Sequence, residues 1–320
     1  MKEKPRLFKI FDEIDSRPQF DASASVTLSN FESLVGEYHF DVEVKCQVNK
    51  SEGNCGRMHQ HGWLGKTKEG KEGLIGGHCA SKYFKADKTF ARERNRVRKE
   101  INIANYLERL SDLLKDRKVF IDQVNTEVSR LIFVRDSVRS ISDSLPDSVV
   151  RILRDMSKTG NRAVSIQVQY VETDENGNEL VDWVDQNIGS ISGVGVWRVD
   201  RIYGINRQLK EIKNIVQEVN INRDAGEIRL KRWLDILSEL PRCASGIDDL
   251  EKDYDNFATF DNLKKVCFLV RNQQEQTEIA KFALSFDGHE NPSNNKGKQL
   301  LKDMSVELRK QFNNRNFRVT

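Results

Sequence analysis

Nowhere in this chain do apolar residues run for the roughly eighteen positions that a helix needs to cross a bilayer. Its start, Met1-Lys2-Glu3-Lys4-Pro5-Arg6, has no apolar stretch of the kind a secretory leader carries. These absences predict a cytoplasmic protein without membrane contact. Charge of one sign is scarce as well: 52 Lys and Arg against 49 Asp and Glu leave a net charge of +3, so no global attraction to nucleic acid follows. Cysteine is sparse and its count, five, is odd, which argues against a complete disulfide framework and for a reducing compartment. Catalytic fingerprints are also missing. The chain has no Gly-x-Ser-x-Gly, no His-Glu-x-x-His, no dinucleotide-binding glycine pattern and no full Gly-x-x-x-x-Gly-Lys-Ser/Thr loop. The spacing of Gly189, Gly193 and Gly195 is too loose for a phosphate loop and reads as turn or bulge chemistry. His289 beside Glu290 has neither a second ligand nor a nucleophile near it in sequence. A non-enzymatic protein is therefore expected. A metal-dependent nuclease could take His61 as its base but lacks a convincing further ligand.

What the chain does have is a concentration of metal-ligating residues. Cys46, Cys55, His59, His61, His78 and Cys79 fall in one short window, and only Cys243, Cys267, His39 and His289 lie outside it. Alternation from Tyr38 to Cys46 makes the approach a strand with Cys46 at its end. Gly62 to Lys68, the turn Glu69-Gly70, and Lys71 to Gly76 read as a hairpin. Cys79 then opens a helix, where the positive helix end stabilises a thiolate.

Donors from a turn, then a hairpin, then a ligand on the first helical turn resemble a treble-clef-type zinc finger over residues 46–86. No whole-chain family is recognised. The resemblance implies structural Zn²⁺ held by four nitrogen or sulfur donors at about 2.0 to 2.3 Å. The preferred set is Cys46, Cys55, His59 and Cys79, with His61 and His78 as alternates. One departure stands out: the stretch between Cys46 and Cys55 is longer than the usual knuckle of two to four residues.

Directly after the window, Lys82, Lys85, Lys88, Arg92, Arg94, Arg96, Arg98 and Lys99 face only Asp87 and Glu93. Basic side chains neutralise phosphates and release counterions, and the interleaved Tyr83, Phe84 and Phe90 could stack on bases. The plainer expectation is a solvated helix start with Phe84, Phe90 and Val97 in the core.

Apolar residues then recur at heptad-like spacing from Ile103 to Leu145, predicting a helix from near Arg94 to Ser144 that stops at Pro146. A second strip, from Ile202 to Leu240, ends at Pro241, with Gly226 as a candidate bend. Strips of similar length predict an antiparallel coiled-coil hairpin within one chain, or a homodimer through the same seams. Between them, a short helix at Asp147–Met156 and strands at Ala163–Val171 and Glu179–Asp185 around the Asn176-Gly177 turn form a small α+β head. After Pro241, helical spacing dominates, with Val266–Val270 open to a buried strand, Asp287–Lys298 a polar loop and a last helix near Leu300–Leu308.

The expected fold is thus α+β and predominantly helical. Its parts are a β-rich zinc module (1–90), a first coiled-coil helix (91–145), an inserted head (146–198), a second coiled-coil helix (199–241) and a mainly helical C-terminal region (242–320). Two functions compete. One is a zinc-binding coiled-coil protein that contacts DNA or RNA, or an assembly containing them, through the finger and the basic run. The other is a scaffold with structural zinc whose head, edged by Glu172, Asp174, Glu175, Glu179, Asp182 and Asp185, docks on a protein partner or holds a divalent ion. The plainer expectation for these acids is a soluble hairpin edge guarded against strand addition.

Overall fold

The computed structural model describes residues 4–50 and 53–319, so the first three residues of the Met1–Arg6 start lie outside them. With 56% helix and 21% strand the chain is a predominantly helical α+β protein. In chain order the elements begin β1 (Arg6–Phe8), α1 (Asp12–Asp15), β2 (Phe31–Lys45), β3 (Asn49–Lys50), β4 (Gly53–Asn54), β5 (Met58–Thr67), β6 (Glu72–Gly76), α2 (Gly77–Tyr83) and α3 (Lys88–Leu113). They continue α4 (Arg117–Ser144), α5 (Asp147–Thr159), β7 (Ala163–Thr173), β8 (Glu179–Ser190), α6 (Val199–Glu218), α7 (Gly226–Leu237) and α8 (Leu240–Phe257). The last are α9 (Phe260–Val266), α10 (Gln273–Ser285), α11 (Asn294–Gln311) and β9 (Phe317–Val319). Two compact units result: residues 1–116 with 219–235, and residues 117–218 with 236–320.

In the first unit, β1, β2, β5 and β6 form one sheet in that order. Successive side chains of a strand point to opposite faces, so Trp63 and Ile75 enter one core with Phe84, Phe90 and Val97, while Leu64 and Leu74 enter the other with Phe8, Ile14 and Tyr38. Both sheet faces are therefore covered. Asp87 caps α3 by accepting from the Phe90 N–H at 2.6 Å, so this helix starts at Lys88, ahead of the expected Arg94. Gly65-Lys66-Thr67 lies inside β5 and forms no phosphate loop.

The long helices are divided, contrary to the sequence expectation. The first breaks between α3 and α4 at 114–116, where Lys115, Asp116, Arg117 and Lys118 supply no apolar residue to hold a continuous seam. The second breaks between α6 and α7. There Asn222 accepts from the Asp224 and Ala225 N–H groups and Gly226 takes φ +73°, a left-handed value that glycine adopts without strain. Pro241 does not end a helix; it sits in the first turn of α8, where its missing N–H costs nothing.

In the second unit α4 packs against both α6 and α8, and α6 against α8, so three helices share one apolar core. α4 ends at Ser144 ahead of Pro146, as the sequence predicts. The β7–β8 hairpin turns at Asn176-Gly177, with Gly177 at φ +85°, and β8 runs on to Ser190. Residues 267–269, open to a strand in the sequence, form a buried 3₁₀ turn after α9. Part of the expected polar loop joins α11, whose Ser293 cap accepts from the Lys296 N–H. The short strand β9 was not foreseen. It pairs antiparallel with β7 to give the sheet order β8-β7-β9. Among the described residues no helix is long and apolar enough to cross a membrane.

Candidate metal centre

The long interval between Cys46 and Cys55 is closed by a miniature hairpin. Asn49 pairs with Asn54 and Lys50 with Gly53, and the Gly56 N–H donates back to the Cys46 carbonyl at 3.1 Å. Gly53 at φ +110° and Gly56 at φ +62° make the reversals. The buried Gln47 amide fastens this segment to its surroundings, donating to the Asp21 carbonyl at 2.7 Å and accepting from the Leu74 N–H at 2.7 Å. Cys79 comes up from α2, which packs on β5 and β6. Three distant stretches of chain thus deliver three thiols to one place.

The sulfurs of Cys46, Cys55 and Cys79 all lie within 4.8 Å of one another, close enough to share a metal ion. Among the described residues no other group of three or more Cys, His, Asp or Glu does so. Cys46 and Cys79 are buried and Cys55 is half-buried. The Cys79 thiol donates to the Cys55 sulfur at 3.4 Å. Burial acts to raise the Cys55 thiol, but the Arg57 N–H, the Lys50 ammonium and the Cys79 thiol together bring it down to about 7. Burial, reinforced by the Cys55 contact and by Cys46, pushes Cys79 up to about 12. The Cys79 thiol thus keeps its proton beside a Cys55 sulfur that loses its own readily. A divalent cation would displace the thiol protons, because cysteine binds metal as the thiolate.

The histidines take other places. Both ring nitrogens of His59 are engaged, Nδ1 with the Val44 carbonyl at 2.6 Å and Nε2 with the Tyr38 hydroxyl at 2.8 Å. A carbonyl only accepts, so Nδ1 carries the proton and Nε2 accepts from Tyr38. Burial first, then the neighbouring His61, holds the His59 pKa below its ordinary value. His59 is thus a doubly bonded ring outside the three-thiol group, engaged with Tyr38 and Val44. His61 lies opposite His39 on β2, ring centroids 5.3 Å apart, and His78 is exposed on α2. Neither joins the thiol group.

The basic run spreads along α2, the following turn and α3. Lys82, Lys85, Lys88, Arg92, Arg96, Arg98 and Lys99 are exposed, and Arg94 is half-buried. Arg96 is tied to Glu93 at 2.7 Å and to the Leu34 carbonyl at 2.7 Å, while Arg98 lies 5.0 Å from the Trp63 ring centre and 3.4 Å from Glu37. Phe84 and Phe90 are core residues, their rings 4.9 Å apart, so they have no free face for a base. Sequence reasoning missed a neighbouring feature. Lys99 of α3 and Gly226, Ile228, Arg229 and Arg232 of α7 line an open cleft of about 600 Å³. The Asn102 amide spans the same two helices, donating to Glu227 at 2.6 Å. The separation of Lys99 from Arg229 in sequence left no local signal for this cleft. No family model, curated protein or solved structure matches this chain.

Proposed function

We propose that the protein is a non-enzymatic zinc-binding protein whose first unit is held in shape by the metal and contacts nucleic acid through its basic surface. The observation that carries the metal half is the convergence of three sulfurs from the end of β2, the β3–β4 hairpin and α2. Thiolate-rich sets favour Zn²⁺, and a site this enclosed suits structural rather than catalytic metal. Cys46, Cys55 and Cys79 supply three donors. The fourth is solvent, or a histidine released from its present contacts, with His59 first and His61 and His78 after it. In this reading the helices and hairpin of the second unit act as spacer and head.

Support for the nucleic-acid half is the exposed set Lys82, Lys85, Lys88, Arg92 and Lys99, which enters no ion pair among the described residues, together with the cleft that adds Arg229. Each phosphate neutralised releases counterions, so binding weakens with salt. The test has two arms. Zinc content and solution mass of the purified chain should show one Zn²⁺ per chain and distinguish monomer from homodimer. Binding to duplex and single-stranded DNA and RNA, titrated with salt, should fall steeply and should fall further when Lys85, Lys88, Arg92 and Lys99 are replaced by Gln. Stoichiometric zinc with salt-insensitive or undetectable binding would leave the metal reading and remove the nucleic-acid one.

A further inference from the structure

We infer that the outer edge of β8 is a docking site for an extended, basic segment of a partner protein, which adds to the sheet as a fourth strand. This inference does not depend on the metal or nucleic-acid reading. β8 is the outermost strand of the order β8-β7-β9, so its far side has no strand partner. An added strand takes up the ladder there in place of local side-chain contacts, the Trp183 N–H donating to Asp182 at 2.8 Å and the Gly189 N–H to Asn187 at 2.7 Å, while Lys265 covers the Ser190 carbonyl at the root. The distal hairpin is apolar as well as open: Leu180 is 57% exposed, Val171 51%, Val181 50% and Val184 37%. Exposed β-branched side chains along an edge are what strand addition buries.

The charge of the hairpin selects the occupant. From residue 163 to 190 there is no Lys or Arg, while Glu172, Asp174, Glu175, Glu179, Asp182 and Asp185 are all acidic. Asp174 is committed to the turn, accepting from the Asn176 and Asn178 N–H groups, but Glu179, Asp182 and Asp185 lie along β8 itself. A second copy of this chain would bring the same carboxylates against its twin, and like charges on facing strands repel. Nucleic acid is repelled for the same reason. A basic strand meets no such penalty and gains attraction that steers it into register.

The chain already carries out this recognition on the opposite edge. β9 lies antiparallel along β7, with Arg318 opposite Gln167. The Arg318 guanidinium sits 4.4 Å from the Trp183 ring centre and its Nε donates to the Gln167 side chain at 2.9 Å. Arg315 sits 4.3 Å from the Tyr170 ring centre. Cation–π contacts and ladder bonds together seat an arginine-bearing strand on this sheet. The β8 edge belongs to the same sheet and carries Glu179, Asp182 and Asp185 along it.

The test uses the full chain and a fluorescently labelled ten-residue peptide of alternating Arg and Val, followed by anisotropy. Two control peptides complete it: one with Glu in place of Arg, and one with the Arg/Val sequence but alternate backbone nitrogens methylated. The expected result is saturable binding of the Arg/Val peptide, at least ~10-fold weaker for the methylated peptide and undetectable for the Glu peptide. Charge reversal at D182K and D185K should weaken binding at least ~10-fold. Both sites are exposed on a strand, and an unchanged circular dichroism spectrum checks that the variants fold. Equal binding of the methylated peptide, indifference to D182K and D185K, or no binding of the Arg/Val peptide overturns the proposal. So does a concentration-dependent doubling of mass that the peptide fails to reverse, since that makes a second copy the occupant.

Discussion

Cys46, Cys55 and Cys79 in the first unit stand within 4.8 Å of one another, whereas Cys243 and Cys267 in the second are each buried apart from other thiols. The Cys267 thiol, pushed up to about 12 by burial, donates to the Leu263 carbonyl at 3.9 Å. The Cys243 thiol is raised by burial and faces the Gln208 amide at 3.6 Å. These two serve as small apolar side chains among helices. Environment therefore separates two uses of one residue type within a single chain. The first unit concentrates thiols where backbone turns deliver them; the second fills its interior with aliphatic and aromatic groups and asks nothing of sulfur chemistry.

The largest expected effect breaks this contrast at its metal end. Chelation, or the double substitution C46S/C79S, should abolish cooperative melting of the first unit, since structural Zn²⁺ contributes on the order of 10 kcal/mol in small zinc modules. The second unit should melt unchanged. Scanning calorimetry with and without chelator reads both transitions, and a first transition indifferent to chelator would end the metal reading. Next comes the aliphatic end. Leu153 is fully buried in the second unit, and L153A should cost about 2–5 kcal/mol there through the cavity it leaves. Zinc content should stay the same.

A third experiment asks how much of the first unit stands without metal. Arg17 and Glu72 form a buried pair with Nε and Oε2 2.7 Å apart, and E72Q removes the carboxylate charge from this pair, at a cost of roughly 3 kcal/mol. If chelated and loaded protein lose the same amount, the pair and the metal act independently.

The smallest effect concerns acid. A histidine whose folded pKa lies below its unfolded value binds fewer protons when folded, so its contribution is present above pH 6.5 and is lost as pH falls through the lowered folded value. First-unit stability should therefore decline below about pH 6.5, and H59Q should flatten that decline relative to the parent. Urea titrations from pH 7.5 to 5 measure both slopes, and parallel slopes would show that His59 does not set the acid sensitivity.

The thiol cluster was legible in the sequence because donor residues crowd one window and the strand, turn and helix signals around them are local. The contacts of His59 were not legible, because nothing in its spacing from Cys55 reveals that the Tyr38 hydroxyl and Val44 carbonyl engage its two nitrogens. The helical strips were legible through their periodicity, and their interruptions less so. Gly226 signalled one bend, but neither glycine nor proline marks the break at 114–116. β9 spans only Phe317–Val319, too short for alternation to show, and its partner lies about 150 residues earlier in the chain. Phe84 and Phe90 could be read as stacking platforms or as core until the sheet beneath them was known, since their order in the chain is the same in both cases.

Gly193 and Gly195 lead the chain from β8 back into the helices, and the backbone there presses on Asp253 of α8 so closely that a β-carbon at either position would strike it. Trp197, just beyond, packs edge-on against Phe257 of the same helix, ring centres 5.3 Å apart. The hairpin is accordingly clamped at its root. A load applied at Asn176-Gly177 is passed to α8 as torque instead of being absorbed by a slack joint.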